Sequence, residues 1–204
     1  RSSGVVATVA GGPTACEEGL RDIYPEFGPT ESGMLRTKDG KHELYYEVSG
    51  NPKGIPALFL HGGPGDGSSP KHRRMFDPSA YRIVVFDQRG AGKSKPAGSL
   101  EENSTAKLVE DCEQLRKHVG VKSWGLVVGG SWGSTLALSY AQAHPSVVKR
   151  MVLYSIFVPS PRSINWLYSP GGASDFYPDA YQDFVSGLSP AERADPMRSY
   201  FRRL

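Results

Sequence analysis

Between residues 57 and 157, short apolar runs alternate with stretches of helical periodicity, which restricts the possible architectures more than any other feature of the 204 residues. "ALFL", "YRIVVFD", "WGLVVGG" and "VVKRMVLYSIF" are apolar runs bounded by turn residues, the pattern of strands buried on both faces of a parallel sheet. Between them, "STAKLVEDCEQLRKH" at 104–118 places Leu108, Cys112 and Leu115 on one face with charges opposite, an amphipathic helix capped by Asn103 or Ser104. "STLALSYAQAH" reads as a second helix, stopped by Pro145. Alternating strands and helices predict an α/β fold with a mostly parallel sheet and helices on both faces. Ahead of this unit, "SGMLRT" and "HELYYEVSG" predict a hairpin turning at Asp39-Gly40. From Val158 the chain becomes rich in Pro, Ser and aromatics and offers no further buried strand, the texture of a helical cap. The expected organisation is a flexible tail at 1–22, a core of six strands at 23–157 and the start of a cap at 158–204.

Composition narrows the function classes. A net charge of +3 leaves no footprint for nucleic acid, and Arg198, Arg202 and Arg203 read as a solvated helix face. Cys16 and Cys112 have neither metal-ligand nor CxxC spacing, so no metal and no cofactor is expected. No apolar run approaches the ~20 residues of a membrane span. These features read as a soluble, cytoplasmic protein. The opening "RSSGVVATVAGGPTA", without an acid before Glu17, keeps plastid or mitochondrion as the alternative location.

The stretch "LVVGGSWGSTLAL" carries Gly129-x-Ser131-x-Gly133 between an apolar strand and a helix. A serine on so sharp a strand-to-helix turn is lifted clear of the sheet, and its crowded backbone demands small residues two before and two after. Ser131 is therefore the candidate nucleophile. The helix N-terminus it opens favours developing negative charge, with the Trp132 N–H as one oxyanion donor. A second glycine-rich loop, "HGGPG" at 61–65, follows the "ALFL" strand, where such a fold places its other donor. Gly63 is the expected donor, Gly62 shapes the turn, and His61 is a structural histidine of the loop. "RGAGKS" at 89–94 superficially suggests a phosphate loop, but Asp87 stands where that motif requires glycine.

With "HGGPG", "FDQRGAGKS" and "GGSWGSTLAL" in this order, the chain resembles the proline iminopeptidases of the α/β-hydrolase fold. "YPEFGPTESGML", "HELYYEVSGNP", "SYAQAHP" and "GASDFYPDAY" extend the resemblance over roughly residues 23–204. The resemblance implies a serine exopeptidase acting on peptides with a free N-terminal proline, through attack by Ser131 and an acyl-enzyme. It also implies that Phe157 lines the proline pocket. Leu167 stands where the family carries a second aromatic, next to the Trp of the cap. An esterase or amidase of the same fold, or an inactive hydrolase-fold subunit of a larger assembly, is the alternative.

A nucleophile of this kind needs a histidine base and an acid, which in this fold follow the serine in the chain. The only histidine after Ser131 is His144, at the far end of the helix Ser131 begins and so roughly 20 Å away at ~1.5 Å per residue. Asp175, Asp179, Asp183, Glu192 and Asp195 read as solvated faces of cap helices. The triad is thus expected to be incomplete within these 204 residues. The strand at 147–157 is expected to form an apolar edge that a further chain segment or a protein partner covers.

Overall fold

A computed structural model describes residues 22–203. The expected tail lies outside the described residues, apart from residue 22, as does Cys16. Six strands form one sheet: β1 (Glu31–Arg36), β2 (Glu43–Gly50), β3 (Ile55–Leu60), β4 (Tyr81–Phe86), β5 (Leu126–Gly130) and β6 (Met151–Tyr154). Their spatial order is β1-β2-β4-β3-β5-β6. The hairpin β1–β2 pairs Leu35 with Leu44, and β2 pairs antiparallel with β4. β4, β3, β5 and β6 then run parallel to their neighbours.

Alternation along each central strand sorts side chains onto two faces. Leu58 and Leu60 of β3 and Val84 and Phe86 of β4 join one cluster, which is roofed by α2 (Thr105–His118) and α3 (Trp132–Ala143). Leu108, Cys112, Leu115, Leu136, Ala137 and Tyr140 supply the helical side of that cluster. The opposite residues, Ala57, Phe59, Ile83 and Val85, pack under Phe76 and Phe27, beside the short α1 (Pro70–Arg73). Both faces of β3 and β4 are thus removed from water, which is why those strands read as continuous apolar runs. Ser104 caps α2 by accepting from the Lys107 N–H, one of the two positions its sequence suggested.

The central ion pair is buried in this layer. Arg89, after β4, holds Asp111 of α2 in a fork, Nε to Oδ2 at 2.6 Å and Nη2 to Oδ1 at 2.8 Å. Its Nη1 reaches Asp39 in the hairpin turn at 2.6 Å. One guanidinium therefore ties hairpin, sheet and helix together. Burial raises the Asp111 carboxyl, against the opposing pull of Arg89.

The run at 147–157 is shorter as a strand than its apolar length predicts. Only Met151–Tyr154 pairs with β5, preceded by an isolated bridge between Trp124 and Val148. Ser155, at φ +45°, turns the chain away, and Phe157 is captured by hydroxyls of α3. β6 has a single neighbour, and Met151, Val152, Tyr154 and Ile156 are exposed. Beyond it the described chain is helical: α4 (Pro161–Tyr168), α5 (Ala173–Phe176), α6 (Pro178–Ser186) and α7 (Pro196–Phe201). No helix among the described residues is long and apolar enough to cross a membrane.

Candidate active site

Ser131 stands between β5 and α3 with φ 53° and ψ −123°, a left-handed backbone rarely adopted by a residue with a side chain. The crowding that enforces this turn is explicit at its glycines. A Cβ on Gly129 would lie 2.3 Å from the Gly133 carbonyl oxygen, and one on Gly133 would lie 2.1 Å from that of Leu60. A Cβ on Gly130 would run into the ring of Tyr154. Strand β5, the end of β3 and the first turn of α3 thus meet main chain to main chain, and Ser131 is the exposed residue at their junction.

The loop after β3 lies against it. A Cβ on Gly62 would meet that of Ser131 at 3.3 Å and the Gly130 carbonyl oxygen at 3.2 Å, so Gly62 backs directly onto the elbow. Gly63 and Gly65 of this loop are left-handed, at φ +105° and +102°. Among the described residues, neither the Gly63 nor the Trp132 backbone N–H donates to another group of the chain.

The loop is held by buried polar contacts. His61 is fully buried, and burial lowers its pKa. Its Nε2 accepts the Gln88 backbone N–H at 2.9 Å, so the proton sits on Nδ1, which donates to the Gly62 carbonyl at 2.9 Å. Both ring nitrogens are engaged, as expected of a structural histidine. The Gln88 side chain donates to the His61 carbonyl and accepts from the Trp132 indole N–H, each at 2.9 Å.

On the other side of Ser131 lies a hollow of about 480 Å³, lined by Ser131, Ser155, Ile156, Phe157, Val158, Arg162, Ser163, Trp166 and Leu167. Phe157 is positioned by α3: its N–H donates to Ser134 Oγ at 3.0 Å, and its carbonyl accepts from Thr135 Oγ1. Ser134, wholly buried, also donates to the Ser131 carbonyl at 2.6 Å. The structure therefore brings together Ser131, Gly62, Gly63, Trp132 and, across the hollow, Phe157. Gln88, Ser134 and Thr135 were not singled out in the sequence. Gln88 had a signal, since it lies two residues past the C-terminal end of a parallel strand, where α/β sheets build their sites.

His144 caps the C-terminus of α3, at the opposite end of that helix from Ser131. His42 Nε2 bonds the Glu101 carbonyl, His72 stacks on Phe59 and His118 meets the Tyr46 hydroxyl. Among the described residues, none of these four, nor His61, makes a hydrogen bond to Ser131. Among the described residues no group of three or more His, Cys, Asp or Glu could hold a metal ion.

Strand order, the glycine-crowded elbow and the loop beside it define a hydrolase architecture, and residues 56–201 match the alpha/beta hydrolase fold family. The chain belongs to that family. Within it, the chain is 49% identical over 185 residues to a probable proline iminopeptidase of Leptolyngbya boryana, covering 91% of this chain and 57% of that protein. It is 51% identical over 185 residues to a proline iminopeptidase of Arabidopsis thaliana, covering 90% of this chain and 48% of that one. The resemblance drawn from its motifs thus has curated counterparts, and the chain spans about half the length of these relatives. Among solved structures, an epoxide hydrolase from Vigna radiata superposes with a TM-score of 0.56 at 24% identity, covering 76% of this chain and 55% of that one. A proline iminopeptidase-related protein from Thermus thermophilus gives 0.54 at 22% identity, covering 85% and 71%. At these identities the structural likeness establishes the fold alone.

Proposed function

We propose that Ser131 is the nucleophile of a serine exopeptidase that releases proline from the N-terminus of peptides. The observation that carries this reading is the left-handed Ser131 at the head of α3, exposed between a glycine loop and an apolar hollow. In this reading Ser131 Oγ attacks the carbonyl carbon of the terminal residue. The negative charge forming on the substrate carbonyl oxygen is held by the Gly63 and Trp132 N–H groups, and collapse expels the shortened peptide as the base passes the Ser131 proton to its amine, leaving an acyl-enzyme for water to cleave. Phe157 offers its ring to the pyrrolidine, with Trp166 and Leu167 on the cap side of the hollow.

Attack by a hydroxyl requires a base, and none of the chain's five histidines is placed to serve Ser131. The 204 residues alone are therefore proposed to be inactive, with base and acid supplied by further polypeptide in the working molecule. An inactive hydrolase-fold subunit is the competing reading. The two separate with a fluorophosphonate probe applied to the intact natural protein and to its Ser131→Ala variant. Labelling that depends on Ser131 supports the enzyme; its absence rejects it. Hydrolysis of a prolyl arylamide but not of its N-acetylated form then supports the exopeptidase, whereas equal rates on both indicate an esterase or amidase.

A further inference from the structure

We propose that Gln88 is a positioning residue that sets the spacing between the two oxyanion donors, Gly63 N–H and Trp132 N–H. The inference rests on the serine-hydrolase reading above and adds a residue to it. The donors belong to segments far apart in sequence, the loop after β3 and the first turn of α3, and their separation decides whether both can bond one oxygen. Gln88, 2% exposed, lies between these segments and touches both.

Its grip is directional. The Gln88 Nε2–H donates to the His61 carbonyl at 2.9 Å, two residues before Gly63. Its Oε1 accepts the Trp132 indole N–H at 2.9 Å, on the residue whose backbone N–H is the second donor. A carbonyl can only accept and an indole N–H can only donate, so the carboxamide has one permitted orientation; flipped, it would oppose both partners. The Gln88 backbone adds a third tie, its N–H entering His61 Nε2 at 2.9 Å, which fixes the tautomer that bonds the Gly62 carbonyl. The loop is thereby held at the His61 ring, at the His61 carbonyl and at Gly62, all referenced to the end of β4. Main-chain packing of Gly133 on Leu60 and His61 brings the loop and the helix head together, and the two Gln88 side-chain bonds fix the freedom that packing leaves between them. No other residue has side-chain bonds to both segments among those described.

Both polar atoms of the side chain are spent on bonds within the protein, so its loss should chiefly weaken the bonds that form as charge develops. Removing an oxyanion donor outright costs about 10²–10³ in kcat, so misplacing donors should cost about 10–100-fold. The test is prolyl arylamide hydrolysis and fluorophosphonate labelling by the intact natural protein carrying Gln88→Met, Trp132→Phe or both. Gln88→Met keeps the length and removes both bonds; Trp132→Phe removes only the indole donor. The expected result is a fall in kcat and in labelling rate with KM within twofold, and a double variant no slower than the worse single one. A prolyl boronic acid, which mimics the tetrahedral adduct, should lose affinity by the same factor as kcat, while binding of free proline is unchanged. Should Gln88→Met fail to fold, Trp132→Phe alone gives the same reading, because it removes the indole donor while leaving the Gln88 bond to the His61 carbonyl in place. Single variants within twofold of the parent in kcat and labelling, or effects that simply multiply, overturn the proposal while leaving the nucleophile intact. A natural protein that shows no labelling at Ser131 overturns both.

Discussion

Gly133→Ala sets two physical effects of opposite sign against each other. Gly133 is a helical residue, and replacing glycine by alanine inside a helix normally stabilises by roughly 1 kcal/mol through backbone entropy. Here the added methyl would lie 2.1 Å from the Leu60 carbonyl oxygen, 2.8 Å from its carbon and 2.9 Å from the His61 carbonyl oxygen. All three are main-chain atoms of a central strand and its loop, so no side chain can swing aside. Relief requires moving the head of α3 away from β3 by about 1 Å, which opens the packing of two buried elements and costs about 3 kcal/mol, the upper end for overpacking. The net expectation is about 2 kcal/mol of destabilisation, or a melting temperature about 4–8 °C lower for a domain of this size. Urea unfolding followed by tryptophan fluorescence gives the midpoint, with Gln142→Ala on the exposed face of the same helix as a control near the parent value. A Gly133→Ala protein as stable as the parent, or more so, would refute the close approach of α3 to β3 on which the elbow depends.

Arg89→Met leaves Asp111 buried without its partner and should cost about 3–5 kcal/mol in urea unfolding; a change below about 1 kcal/mol would show the fork carries no weight. Replacing Asp111 by leucine in the same chain should recover part of that loss, since no charge is then left behind. His61, whose pKa burial lowers, binds protons more readily unfolded, so stability should fall as pH drops below its ordinary value of about 6.5 and on through the folded value. Imidazole NMR is the check: a His61 midpoint at or above the ordinary value would refute the buried, neutral assignment. The exposed Met151, Val152 and Ile156 beside the single-neighbour strand β6 should drive self-association of the 204 residues. Val152→Lys should reduce it in light scattering, and a monodisperse monomer for the parent would count against an edge that needs covering.

Several elements were legible in the sequence because one local signal specified each. Val84 and Phe86 facing one cluster with Ile83 and Val85 facing the other is the two-sided burial that an unbroken apolar run encodes. The hairpin at Asp39-Gly40, with Gly40 at φ +70°, and the cap at Ser104 are likewise written in a few adjacent residues. The length of β6 was not legible. "VVKRMVLYSIF" carries β-propensity throughout, but Ser155 turns left-handed and Ser134 and Thr135 take the backbone of Phe157. Competition from a distant helix ended that strand, and no window on the strand records it.

The candidate site divides the same way. The sequence by itself determined that Ser131 would stand on a strand-to-helix turn flanked by obligatory glycines, because the sterics are local to a few residues. It also determined that His144 could not serve Ser131, since helix rise alone separates the two. Only the tertiary structure decided which atoms make those glycines obligatory, since the Leu60 oxygen opposite Gly133 belongs to a strand far earlier in the chain. Only it placed Gln88 between loop and helix, and Phe157 under the hydroxyls of α3. Hydrogen bonds between segments distant in the chain are set by where the sheet brings their ends together. Spacing along the chain carries no record of that.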